Sequence, residues 1–297
     1  MINKLIHKVK YEFLVFNSFL FYRFSGLKYD FFSDSEVVDQ IISKRRSLSR
    51  FGDGEFKWMW NIKQTSFQSD NIIMSKRLED VINSNNNNLI IGIPIGMVDV
   101  SKYNHPARKY WRLFTYLYKD KIKSTIPSDR FFANTNISRC YIDYKHKENT
   151  KERFDNLKRI WNKRDVVIVE GEKTRLGVGN DLLDNVNALK RIIAPSTNAF
   201  DRYDDILKEC LKQDKNVLFI LALGPTATIL ASDLCDLGYQ AVDLGHFDIE
   251  YEWFRMGAKK KIPVEGKFVN EAMSDNDLSN SYIDLSEYNK SVITYIK

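Results

Sequence analysis

From about residue 35 onward, short β-branched and aliphatic runs alternate with longer runs of helical apolar period, and this alternation leaves the chain few folds. The strand-like runs lie at 48–51, 89–94, 131–135, 166–170, 192–195, 217–223 and 241–244. Two of them, VVIVE and VLFILAL, are almost continuously apolar, as strands covered on both faces are. Helical runs fall between them, at 151–162, 181–190, 199–212 and 226–236. The pattern predicts an α/β fold, a Rossmann-like, mostly parallel sheet with helices on both faces. No internal repeat and no Gly/Ser- or Pro-rich linker interrupts it. One domain is therefore expected over 35–275, with an N-terminal extension (1–34) before it and a C-terminal tail (276–297) after it.

Composition narrows the chemistry. Of 297 residues 43% are hydrophobic, enough for a full core without a disulfide or metal staple. The mean hydropathy of −0.39 belongs to a water-soluble chain. Lys+Arg exceed Asp+Glu by 45 − 39 = 6, an excess that suits anionic small molecules or an acidic membrane surface and falls short of a nucleic-acid footprint. Cys140, Cys210 and Cys235 form no CxxC pair, and four histidines are too few to argue for zinc. The cysteines read as small core residues of a reducing compartment, so a cytoplasmic location is expected.

In the extension, Ile2, Leu5, Ile6, Val9, Phe13, Phe16 and Leu20 fall at helical spacing, with Lys4, Lys8 and Lys10 among them. The run is too short and too polar to span a bilayer. Two placements remain: an amphipathic helix lying on an anionic membrane through residues 1–31, or a helix packed on the domain.

In parallel sheets ligands gather at the carboxyl ends of the strands, so polar and glycine-rich segments should follow the strands. They do, at 52–55, 134–139, 170–181, 196–198, 224–228 and 245–250. In the first, RFGDGE, Asp53 and Glu55 are two residues apart; in extended backbone both carboxylates would point one way and face one Mg²⁺ or Mn²⁺. An acidic turn in solvent would look the same. In VVIVEGEKTRLGVGNDLL, Glu170 and Glu172 end a strand, Lys173 and Arg175 follow, and Asn180 or Asp181 is expected to open a helix whose N-terminus, near Gly179, would receive phosphate. Asp181 as a plain helix cap is the alternative. In LALGPTATILASDL, Thr226 serves equally as cap or ligand contact. In DLGHFDIEYEW, His246, Asp248 and Glu250 would alternate to one face of an extended segment and supply a general base. Neither a Walker A nor a GxGxxG sequence is present.

Together with IGIPI at 91–95 and RIIAPSTNAFDRYDDIL at 191–207, these segments resemble the GT-D fold glycosyltransferase family, long grouped as a bacterial domain of unknown function. The resemblance implies transfer of a hexose from a nucleotide sugar, usually UDP-linked, to a glycan or lipid-linked glycan acceptor. It also implies a DxE motif for metal and donor, which falls on Asp53 and Glu55. On that reading Arg50, Gly52, Arg139, Glu170, Lys173, Arg175, Gly179, Asn180, Asp181 and Thr226 are donor-side candidates. Asp248 or Glu250 is the favoured base, with His246 positioning the sugar. Competing readings are a Rossmann-type methyltransferase and a non-catalytic nucleotide-sugar- or glycan-binding module.

Overall fold

The computed structural model describes residues 2–24, 26–64, 68–268 and 285–297. Among these, nine strands form one sheet: β1 (Asp30–Phe31), β2 (Ser47–Arg50), β3 (Leu89–Ile93), β4 (Phe131–Asn134), β5 (Asp165–Gly171), β6 (Ala188–Ala194), β7 (Leu218–Ala222), β8 (Gln240–Asp243) and β9 (Val292–Tyr295). Their order is β1-β4-β3-β2-β8-β7-β5-β6-β9, and every pairing is parallel. All seven expected strands are present. Two additions come from outside the expected domain: β1, from the extension, pairs β4, and β9, from the tail, pairs β6.

The continuous apolar strands separate two cores. Along β5, Val167 and Val169 enter one core while Val166 and Ile168 enter the other; along β7, Phe219 and Leu221 face away from Leu218 and Ile220. This is the two-residue period of a strand with both faces dry. The helices covering them are α1 (Ile2–Phe24), α2 (Asp34–Ser43), α3 (Asp53–Met59), α4 (Ile72–Ile82), α5 (His105–Thr125), α6 (Thr150–Lys158), α7 (Tyr203–Leu211), α8 (Pro225–Asp236), α9 (Phe247–Arg255) and α10 (Ser286–Ser291). Local chemistry starts several of them. Ser33 and Glu36 form a reciprocal capping box on α2, Asn71 caps α4 and Asn104 caps α5. Pro225 occupies the first turn of α8, where a missing N–H costs nothing.

One helix expected from periodicity is absent. Residues 181–190 are turns followed by the start of β6, so no helix begins at Asn180 or Asp181. The run's apolar residues are spent instead on a short loop and a strand: Leu182 and Leu183 enter the core and Trp161 donates its indole N–H to the Leu182 carbonyl at 2.9 Å. All three cysteines are free and buried.

Candidate functional site

A cleft of about 720 Å³ opens at the carboxyl ends of the strands. The segments following β2, β4, β5, β6, β7 and β8 all contribute to it, and the first half of α5 closes one side. Its floor is pinned by Arg50 at the end of β2. The guanidinium donates to the Asp243 carbonyl at 2.6 Å and to Asp243 Oδ1 at 2.9 Å, and also to Thr135 O at 3.0 Å and Ser138 Oγ at 2.5 Å. One side chain thus ties the ends of β2, β8 and β4 together. Gly245 is required beside it: its φ is +51°, and a Cβ there would sit 2.3 Å from Arg50 Nη2.

Asp53 and Glu55 line this cleft, in a geometry different from the expected extended one. They occupy the first turn of α3, where residues two apart point to different sides. Glu55 turns back to accept the Gly52 N–H at 2.8 Å, closing the helix start. Asp53 accepts from Lys57 Nζ at 2.7 Å and from the Tyr110 hydroxyl. Burial, with Asp243 and Asp53 adding like charge, pushes the Glu55 carboxyl up to about 7. Asp243 is buried and also lines the cleft, and burial raises its carboxyl too, against the pull of Arg50. Lys57 pairs with Asp53 and Arg50 with Asp243, so a hard divalent cation would compete with these cations for the carboxylates that line the cleft. Among the described residues no group of three or more His, Cys, Asp or Glu side chains could cage a metal alone. Mg²⁺ and Mn²⁺ bridging a diphosphate need only one or two carboxylates, with phosphate oxygens and water completing the shell. The donor set fits a cation of that kind.

Three cations, Arg139, Lys173 and Lys261, also line the cleft. Aromatic surface comes from Trp58, Tyr110 and Trp111. His246, the residue preceding α9, and Asp248, in its first turn, line the cleft as well.

The 246–250 segment is therefore helical, and its three candidates separate. Only His246 and Asp248 line the cleft. Asp248 is 2% exposed and heavily bonded: Oδ1 accepts from Gly177 N at 2.9 Å, Asn180 Nδ2 at 2.8 Å and Lys267 Nζ at 2.9 Å, and Oδ2 from Lys267 Nζ at 2.7 Å. Glu250 lies beneath the wall, where Oε2 accepts the N–H groups of Tyr141 and Ile142 at 3.0 and 2.9 Å. Burial raises its carboxyl to about 7, with Arg139, 3.8 Å away, pulling the other way.

Several donor-side candidates are structural instead. Glu170 is fully buried, accepting from Arg191 Nη1 at 2.5 Å and Leu176 N at 2.7 Å. Arg175 donates to the Gly266 carbonyl at 2.8 Å. Asn180 joins Asp248 to Glu252. Gly179 offers its carbonyl to Arg255 Nη1 at 3.0 Å, and its surroundings are open. Asp181 sits at the surface, its carboxyl held down to about 2 by the Tyr251 hydroxyl and the Lys158 ammonium. Thr226 is buried in the first turn of α8, with Gly224 as the residue before the helix. None of these six lines the cleft, whereas Arg50, Gly52, Arg139 and Lys173 do. The sequence reading missed Asp243 and Tyr110. Asp243 ends a buried strand on a charge, which was a usable signal; nothing local marked Tyr110, which α5 brings across the fold.

A model of the family described as "Glycosyltransferase GT-D fold" matches residues 48–272. The glycosyltransferase GlyD of Streptococcus pneumoniae serotype 4 is 37% identical over 261 residues, covering 88% of this chain and 32% of that protein. The probable glycosyl transferase Gly of Streptococcus gordonii is 34% identical over 263 residues, covering 88% of this chain and 38% of that protein. The chain thus spans about a third of the length of these curated relatives. Among solved structures, a highly conserved domain of unknown function described as having a distinct glycosyltransferase fold superposes with a TM-score of 0.87 at 34% identity, covering 95% of this chain and 100% of the other. A new glycosyltransferase from Streptococcus sanguinis superposes with a TM-score of 0.85 at 32% identity, covering 91% and 100%. Among the described residues no helix is long and apolar enough to cross a membrane.

Proposed function

The chain belongs to the GT-D fold glycosyltransferase family, and on that premise we propose that it moves a hexose from a UDP-linked donor to a glycan acceptor, with Mg²⁺ or Mn²⁺ as cofactor. Family membership leaves no support for the methyltransferase alternative. One observation carries the reading: the cleft at the strand ends is lined both by the carboxylates Asp53, Glu55 and Asp243 and by the cations Arg139 and Lys173. A nucleoside diphosphate with a divalent cation needs both signs of charge side by side, and an uncharged ligand needs neither.

Asp53 and Glu55 would hold the cation, whose chemistry is to neutralise the departing diphosphate. Lys173 and Arg139 stabilise the same charge as the bond between the anomeric carbon and the phosphate oxygen breaks. Tyr110 and Trp58 offer flat surface for the uracil ring. The acceptor hydroxyl attacks the anomeric carbon and gives up its proton. His246 takes it, because Asp248 is buried and its charge is already held by Lys267, Gly177 and Asn180. Asp248 instead holds the loop that carries Lys173. A purified chain should hydrolyse UDP-hexoses slowly, in a panel of nucleotide sugars, when Mn²⁺ or Mg²⁺ is present. Tight UDP-sugar binding with no turnover under any metal would leave only the binding-module reading.

A further inference from the structure

Helix α1 has two apolar faces and only one is used. Ser18 is 1% exposed against α5, and the Tyr22 hydroxyl reaches the Gly96 carbonyl and Thr115 Oγ1, which anchors the helix to the domain. On the opposite side, Val9, Phe13, Phe16 and Phe24 are 62%, 65%, 58% and 76% exposed. At 100° per residue they form one stripe, half a turn from Ser18, and extend roughly 22 Å along the helix. Folding thus buries the second face and leaves the aromatic one outside.

At the base of the stripe lies a second cleft, of about 520 Å³, between α1, α5 and the 98–101 loop. Arg23 from α1 and Arg108 and Arg112 from α5 line it. The Nε atoms of Arg108 and Arg112 are buried without a hydrogen-bond partner. The one carboxylate in the cleft, Asp99, accepts from Ser101 N at 2.7 Å and Ser101 Oγ at 2.9 Å. Three guanidinium groups against one carboxylate leave net positive charge beside exposed phenylalanines. Arg112 also lies over the Phe19 ring at 5.4 Å, which ties the cleft's guanidinium to an aromatic of α1.

We infer that this surface docks on an anionic phospholipid bilayer, the phenylalanine stripe entering the acyl boundary and a headgroup phosphate seating among Arg23, Arg108 and Arg112. Forked guanidinium donors match phosphate oxygens, and a flat-lying aromatic stripe matches the bilayer interface. Pro106, Ala107, Tyr110 and Trp111 of the same α5 line the main cleft. Docking would therefore hold that cleft beside the membrane surface, where a lipid-linked acceptor waits. This last consequence rests on the glycosyl-transfer reading; the docking itself does not.

The test is cosedimentation of the chain with phosphatidylglycerol/phosphatidylcholine vesicles and with pure phosphatidylcholine vesicles. Binding to the anionic vesicles alone is expected, with loss in 1 M salt, where the screening length is about 3 Å. Phe13→Ser/Phe16→Ser and Arg108→Gln/Arg112→Gln should each weaken it about tenfold or more while near-UV circular dichroism and UDP-hexose hydrolysis are unchanged. No sedimentation with either vesicle, or binding insensitive to the phenylalanine pair, overturns the inference. So does inorganic phosphate binding without vesicle binding, or a dimer in ultracentrifugation that Phe13→Ser/Phe16→Ser dissociates. Failure of hydrolysis alone would count against the donor reading and leave this one standing.

Discussion

Lys267 Nζ lies 2.7 Å from Asp248 Oδ2, and the two side chains, 2% and 3% exposed, form an ion pair inside the protein. Lys267 also reaches Glu252 Oε1 at 3.2 Å, and Asp248 in turn holds Gly177 and Asn180. The pair joins α9, the 171–180 loop and the segment after Val264 beneath the cleft. Its removal should act on stability first. Lys267→Met, which leaves Asp248 buried and uncompensated, is expected to lower the unfolding free energy by about 3–5 kcal/mol in urea titration. A variant within ~0.5 kcal/mol of the parent chain would mean that water reaches the pair.

The carboxylates of α3 should act on turnover instead. Glu55→Gln keeps an acceptor for the Gly52 N–H, and Asp53→Asn keeps one for Lys57 and Tyr110, so both variants should fold. Each is expected to cut metal-dependent UDP-hexose hydrolysis by about two orders of magnitude. Full hydrolysis in EDTA, or in both variants, would remove the metal role.

Two neighbouring cations should behave differently. Lys173 lines the cleft, whereas Arg175 is turned to the Gly266 carbonyl. Lys173→Ala should weaken UDP binding by about 1–3 kcal/mol, and Arg175→Ala should leave it near the parent value. Calorimetry on the two variants checks the contrast, and the reverse order would exchange their roles.

Glu250 predicts a pH dependence. Its folded-state pKa is raised to about 7 by burial, above the ordinary carboxyl value, so the fold prefers the protonated form. That contribution is complete below about pH 4.5 and is lost as pH rises through about 7. Glu250→Gln retains an acceptor for the Tyr141 and Ile142 N–H groups and removes the titration. Denaturation midpoints measured from pH 5 to 8 should fall less steeply in this variant. Parallel curves would place the pH dependence elsewhere.

The strands were legible because burial on both faces writes itself into consecutive residues. VVIVE and VLFILAL need no neighbour to be recognised, and the polar turns after them mark the ligand end of the sheet. The run at 181–190 misled because its apolar spacing suits a helix, yet Leu182 and Leu183 are claimed by a core that only the assembled fold creates. The two-residue spacings at 53–55 and 246–250 misled in the same way. Each was read as extended backbone, and each lies at the start of a helix.

Sequence alone determined the α/β class, the strand positions and the presence of Arg50, Asp53, Glu55, Arg139 and Lys173 at the ligand end, since these follow from local period and from what must follow a buried strand. Tertiary structure alone decided which charges meet. Glu170 was claimed by Arg191, Asp181 by Tyr251 and Lys158, and Asp248 by Lys267, while Asp243 and Tyr110 joined the cleft from distant segments. The reason is physical: a charge's role depends on what shares its low-dielectric surroundings, and those neighbours lie up to about two hundred positions away along the chain.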